Sequence, residues 1–405
     1  MDLKSLFKCI IFSYLEYFDY MLFITFYPLI AKRLPQNLFI ENEIFVFIIA
    51  YASKPIGGFL FGKISDKFNP KLSLTIIPIL SFISSIYIAL YLSFSKLILS
   101  TALLILCRIL QGISCGASLP SILGYVNNNQ KNTRNFIFSI IFSSFVLGSV
   151  SAHLTYVFYL LLTKESNIIY GYKLPFIFGG IISLLSLIIR VGFITKNKPS
   201  IKTKNKASNK FLQYILLICF YSVQISFIPV IFNLLPNIYS NKYHMNNILL
   251  NFYSSISLIF MVISSIFFGY IKDIKLFKYD YNLKLILIYS CILIILLYFS
   301  KFNPITFLIC SSFSGIIIGS YSGFVYNFLT SRINENIFTS IGIITGISTL
   351  IFSSLSVLIF NSLKDKSETL FMIIYFLFPI IFLISFSSKK ALDYINIKES
   401  GRNYA

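Results

Sequence analysis

The stretch Lys54-Pro-Ile-Gly-Gly-Phe-Leu-Phe-Gly-Lys-Ile-Ser-Asp-Lys-Phe-Asn-Pro-Lys71 closes one apolar run and, after a short basic turn, opens another near Leu72. Gly57, Gly58 and Gly62 give the end of the first run a face of small residues. In an apolar medium such a face lets a neighbouring helix approach closely. Asp66 ends this helix, with Lys63, Lys67 and Lys71 around it. An apolar run, a glycine face, one acid, a lysine-rich turn and a second apolar run together describe two membrane spans joined by a tight loop.

The rest of the chain repeats that pattern. It has 405 residues, of which 57% are hydrophobic and only 12% charged. This is too apolar and too poor in charge for a water-soluble protein of that length. A soluble multidomain enzyme is thereby excluded, and a polytopic all-α membrane protein is expected. The net charge of +20 is carried by lysines in short loops between apolar runs. There they orient helices and meet anionic lipid, so the lipid bilayer, not nucleic acid, is the expected partner. Cys9, Cys107, Cys115, Cys219, Cys291 and Cys310 lie in or beside the runs, without metal-ligand spacing or a disulfide framework. The first run lacks a small-residue cleavage site and is read as a retained span. No phosphate-binding loop, His/Cys cluster or nucleophile elbow is present. Neither catalytic residues nor a metal or cofactor are expected. The abundance of Phe, Tyr, Ile, Asn and Lys and the absence of Trp suggest an AT-rich bacterial genome, hence a bacterial inner membrane.

Twelve spans are predicted, each long enough to cross a bilayer at ~1.5 Å per residue. They cover 10–32, 44–62, 73–94, 97–118, 136–160 and 174–194, then 211–236, 248–271, 284–300, 303–328, 338–362 and 369–388. The segment 195–210 carries Lys196, Lys198, Lys202, Lys204, Lys206 and Lys210 without an acid, and separates bundles of six spans at 1–194 and 211–405. With the N terminus inside, the inner segments hold 22 of the 34 basic residues and the outer loops nine, so both termini are expected in the cytoplasm. The halves repeat weakly: Gly269-Tyr-Ile-Lys-Asp273 ends span eight as Gly62-Lys-Ile-Ser-Asp66 ends span two.

Charges inside a span are costly and point to function. Glu16 and Asp19 share one face of span one. Two carboxylates so close cannot both ionise cheaply, so the pair can load and release a proton, or serve as structural partners near the inner interface. Lys54 in span two and Arg108 in span four are the bases available to answer them, either as a pair that protonation breaks or as packing contacts. Spans seven to twelve have no Asp, Glu, Lys or Arg in their apolar cores. They offer Tyr221, Gln224, Asn251, Tyr321, Tyr326 and Asn327 for hydrogen bonds to a solute or to one another. His153 is the one histidine inside a span, read as packed or water-facing, with a proton relay the alternative.

The loop at Asp66, Lys67, Lys71 and Leu74 resembles the signature between helices two and three of the major facilitator superfamily, with Asn69 at the turn glycine and Pro70 replacing a basic residue. Glu16-Tyr-Phe-Asp-Tyr20, Lys54-Pro-Ile-Gly-Gly58, Arg108-Ile-Leu-Gln-Gly112 and Gly171-Tyr-Lys-Leu-Pro-Phe176 narrow the resemblance to the metabolite:proton symporter branch, nearest its proline/betaine transporters. The resemblance implies two six-helix bundles and alternating access, with solute held between them, and proton-coupled import of a small zwitterion or carboxylate by a monomer. Proton coupling is expected at Glu16, Asp19, Lys54 and Arg108, the charges inside spans, and solute contact at Tyr20, Gln111, Gln224 and Tyr321. The resemblance further implies a conformational latch of Gly58, Gly62, Asp66, Lys67 and Lys71, with Asp66 near the start of span eleven at Phe338. The acids that the branch carries after Gln111-Gly112 and at the end of span four are replaced here by Gly116-Ala117-Ser118 and Asn127-Asn128. The Gly-Pro pair of drug:proton antiporters is absent after Gly148. Three alternatives stay open: a zwitterion such as proline or betaine, a dicarboxylate held by Lys54 and Arg108, and a non-transporting sensor or decayed paralogue on the same scaffold.

Overall fold

The computed structural model describes residues 3–31, 43–68, 70–91, 98–129, 134–163, 173–193, 210–226, 228–274, 303–333 and 335–363. Within them the protein is all helical: α1 Leu3–Ala31, α2 Glu43–Lys67, α3 Pro70–Tyr91, α4 Ile98–Asn129, α5 Arg134–Thr163, α6 Lys173–Phe193 and α7 Lys210–Ile225. A π-helical turn at Val230–Leu234 leads into α8 Leu235–Tyr243, followed by α9 Asn247–Asp273, α10 Pro304–Ser331 and α11 Ile337–Ser348. A second π turn, Thr349–Ser353, continues α11 into α12 Ser354–Leu363. Eight helical stretches among the described residues are long and apolar enough to cross a membrane. The expected spans at 284–300 and 369–388 lie outside the described residues, as do Asn69 and most of the linker at 195–210.

The first six helices pack α1 on α5, α2 on α4, and α3 on α4 and α6; further on, α9 packs on α10. Two seams join the early helices to the late ones, α5 against α9 and α2 against α11. The second seam needs glycine. A Cβ on Gly58 would lie 2.5 Å from the Gly342 carbonyl oxygen, and one on Gly342 would lie 2.7 Å from the Gly58 Cα. The two backbones touch there, which no larger residue permits.

The span expected at 211–236 is continuous in the sequence reading but broken in the structure. α7 ends at Ile225, and Pro229 has no N–H to offer that residue's carbonyl. Ser353 Oγ donates to that freed Ile225 oxygen at 3.0 Å, and Ser356 Oγ donates to Ser226 O at 2.6 Å. Irregular backbone inside a membrane protein is thus satisfied by hydroxyls of the adjoining helix. α4 runs on to Asn129, well past the expected end at residue 118, and brings Ser118 and Asn127 into the helical core.

Candidate functional site

Three polar assemblies stand out in an apolar fold. The first lies within the early helices. Glu16 on α1 forms an ion pair with Arg190 on α6, Oε2 to Nη2 at 2.9 Å, with both side chains almost fully buried. Ser114 Oγ donates to Glu16 Oε1 at 3.1 Å, and Ser118 Oγ donates to Oε2. Arg190 Nη1 donates at 2.7 Å to Leu74 O. That carbonyl lies four residues before Pro78, whose missing N–H leaves it free. A guanidinium, with several donors in a planar fork, can satisfy a carboxylate and a stranded carbonyl together.

This corrects the pairing expected from sequence. Lys54 and Arg108 were the expected bases for the acids, yet among the described residues the one ion pair is Glu16 with Arg190. Asp19 instead accepts from Ser85 Oγ, and Gln111 Nε2 lies 3.4 Å from that hydroxyl. Gln111 Oε1 in turn accepts from Arg108 Nη1 at 2.7 Å. Asp19 and Arg108 are therefore connected through Gln111 and Ser85, without touching. The second carboxylate oxygen of Asp19 has no hydrogen bond among the described residues, although it is buried. The Arg108 guanidinium lies over Phe23 at 4.2 Å and Tyr20 at 5.4 Å.

The second assembly is a central cavity of about 110 Å³ between early and late helices. Among the described residues, Lys54 is the charged residue of its lining and no carboxylate borders it. The ammonium sits 4.6 Å from the Tyr20 ring and 5.1 Å from the Tyr51 ring, and so faces a wall of aromatic π-density. Tyr17, Phe142 and Phe145 continue that wall, while Tyr221, Tyr326 and Asn233 face it from the other side. Of the expected solute contacts, Tyr20 lines the cavity. Gln111 does not, being tied to Arg108 and Ser85. Tyr321 does not either; it packs against Phe220 and Phe324. Gln224 is on the last turn of α7, and its side chain lies outside the described residues.

The third assembly caps helices across the two seams. Asp66 at the end of α2 accepts from Phe338 N at 3.3 Å, Thr339 N at 2.8 Å and Thr339 Oγ1 at 2.6 Å, the neighbourhood expected for it. Asn336, with its left-handed φ of 45°, makes no side-chain cap for α11, so a carboxylate from another helix supplies it. Asp273 at the end of α9 does the same for α5, accepting from Asn135 N at 3.2 Å, Asn135 Nδ2 at 2.8 Å and Phe136 N at 2.9 Å. Gly58 and Gly62 lie in the α2–α11 seam beside Asp66. Lys67 is exposed, and the Lys71 side chain lies outside the described residues.

In the comparison with known proteins, the Major Facilitator Superfamily model matches residues 10–361. The chain belongs to that superfamily. A Staphylococcus aureus (strain COL) protein named "Putative proline/betaine transporter" is 32% identical over 148 residues, covering 35% of this chain and 31% of that protein. The alpha-ketoglutarate permease of Escherichia coli (strain K12) is 27% identical over 148 residues, 36% of this chain and 34% of the relative. The chain thus aligns with about a third of the length of each. The crystal structure of a D-xylose-proton symporter superposes with a TM-score of 0.72 at 15% identity, covering 93% of this chain and 96% of the symporter. That likeness shows the fold alone.

Arg190 was not among the residues expected at the site. The available signal was Pro78, since a proline inside an apolar helix always leaves a carbonyl to be satisfied. Tyr17, Tyr51 and Asn233 had no signal of their own, because one tyrosine among 27 does not announce which faces a cavity.

Proposed function

We propose that this protein is a proton-coupled secondary transporter that imports a small carboxylate-bearing solute, a zwitterion of the proline or betaine kind, by alternating access. The observation that carries the reading is the cavity lining: among the described residues, one ammonium, Lys54, in an aromatic and hydroxyl-lined space without a carboxylate. A solute carboxylate would meet Lys54 in a charge-assisted hydrogen bond. The cationic end of a zwitterion would rest on the faces of Tyr17, Tyr221 or Tyr326, which attract a quaternary ammonium. A dicarboxylate fits less well, because its second charge would find no further base among the described residues of the lining; Arg108 lies behind Tyr20. The staphylococcal relative's name points the same way.

In this reading twelve spans form two six-helix bundles at 1–194 and 211–405, joined by the basic segment 195–210, with both termini in the cytoplasm of a bacterial cell. Residues 284–300 and 369–388 supply the ninth and twelfth spans. Asp19 is the proton site, since its buried second oxygen lacks a partner and its link to Arg108 runs through Gln111 and Ser85. Glu16, fixed by Arg190 and two serines, serves as a staple. Asp66 and Asp273 latch the bundles on the cytoplasmic side. Counterflow in proteoliposomes over proline, betaine, α-ketoglutarate and citrate tests the reading. Exchange of proline or betaine is expected; exchange of the dicarboxylate or tricarboxylate alone overturns the zwitterion assignment, and exchange of none removes transport.

A further inference from the structure

His153 is buried on α5 in a position the cavity chemistry does not use. Its Nδ1 lies 2.9 Å from Ser149 O on its own helix, and its Nε2 lies 3.0 Å from Phe232 O. Phe232 belongs to the π turn of the broken seventh span, beyond Pro229. The ring therefore bridges an early helix and a late one, next to Ser149 and Asn233 of the cavity wall. It stands away from the Asp66 and Asp273 caps: along the α5–α9 seam Asn135 meets Asp273, whereas Tyr156 OH, one turn beyond His153, meets Asn247 Nδ2 at 3.3 Å.

Both partners of the ring are carbonyl oxygens, which only accept. A neutral imidazole has one N–H, so one of its nitrogens would turn a lone pair on an oxygen about 3 Å away. The imidazolium donates at both nitrogens and satisfies both contacts. The helices packed on α5 carry charged and titratable groups, Glu16 and Asp19 among those on α1, Lys272 and Asp273 on α9 and Cys310 on α10, but among the described residues none of them bonds to the ring; the π turn contributes none. Among the described residues the ring itself bonds only to backbone oxygen. No carboxylate holds the charge, so the contact depends on the two carbonyls remaining in place.

We propose that His153 is a proton-dependent clasp on the non-cytoplasmic side of the cavity, which binds a proton when α5 and the π turn are together and releases it when they part. By linkage, acid on that side favours closure. This rests on the alternating-access reading but is tested without any solute. The chain has two histidines, so a His244→Gln protein labelled with 15N-histidine reports His153 alone. Its nitrogen spectrum is recorded in nanodiscs from about pH 5 to 9, the range in which histidine commonly changes charge. In parallel, spin labels at the non-cytoplasmic ends of α5 and α8, in a background without native cysteines, report the distance between them.

Two protonated ring nitrogens at low pH are expected, going to one as pH rises, with the spin-label distance lengthening over the same interval. His153→Gln, which keeps an amide donor, is expected to lose the pH dependence of the distance while remaining folded. A single-N–H spectrum across the whole range overturns the proposal, as does a distance that is independent of pH in the protein with His153 intact. Transport could fail for other reasons without touching either readout.

Discussion

The early and late helices stabilise their polar groups by different means. α1 to α6 bury Glu16, Asp19, Lys54, Arg108 and Arg190, held by one ion pair, a relay through Gln111 and Ser85, and aromatic faces. In α7 to α12 the work is done by hydroxyls: Ser257 with Ser311 at 2.7 Å, Ser265 with Ser322 at 2.6 Å, and Ser353 on the Ile225 carbonyl. Lys272 on α9 is the late cation held inside, donating to Ser320 O at 2.6 Å near the Asp273 end. Buried ions cost much to separate, whereas serine bonds between membrane helices are worth little each. In the proposed transport cycle the early helices would store a state of charge and the late ones repack around a solute.

The contrast is sharpest if one member of the ion pair is removed. Glu16→Gln strands Arg190 and should destabilise the protein by about 3–5 kcal/mol, the cost of leaving a buried charge alone. Thermal unfolding in detergent reads this. Replacing Glu16 and Arg190 together by Met should restore much of the loss, and an unchanged midpoint in Glu16→Gln would remove the staple from the account. Lys54→Ala comes next. Losing a charge-assisted bond worth roughly 1.5–3 kcal/mol should weaken solute binding about 10- to 100-fold. Unlike Glu16→Gln, which leaves Arg190 alone, it strands no opposite charge, because Lys54 has no ion-pair partner among the described residues. A binding titration with unaltered affinity would move the solute elsewhere.

Smaller effects follow at the seams and in the late helices. Asp66→Asn and Asp273→Asn each weaken one helix cap, worth about 1 kcal/mol, and should each shift the inward population about fivefold. Accessibility of a cavity cysteine from the cytoplasmic side measures it; a shift from one variant only would show that the seams are not equivalent. Ser257→Ala should alter unfolding by less than about 1 kcal/mol, as interhelical hydroxyl bonds do. A loss as large as that of Glu16→Gln would erase the distinction between the two sets of helices.

Much of the architecture was legible because hydropathy and loop lysines act over whole segments. The apolar runs predicted α3, α5, α6 and α9 to within a few residues, since a bilayer demands a continuous helix of a given length. Asp66 was legible as a cap through the resemblance of its loop to the superfamily signature. The break at Pro229 was not, because whether a proline kinks, ends or merely bends a span depends on which hydroxyl reaches the freed carbonyl. The partner of Glu16 was hidden for the same reason. Pairing is settled by helix contacts in three dimensions, and Arg190 lies 174 residues away in sequence. His153 was read as packed or water-facing; the carbonyl of Phe232 that gives it a role lies on another helix.

The account places the transported proton on Asp19. Its most direct test is solute uptake by Asp19→Asn beside the unaltered protein, in proteoliposomes with and without an imposed proton gradient. Asn keeps the acceptor that Ser85 uses but cannot titrate. The account predicts that Asp19→Asn still exchanges solute down its own gradient and no longer accumulates it against one. Normal uphill accumulation by Asp19→Asn would contradict the account.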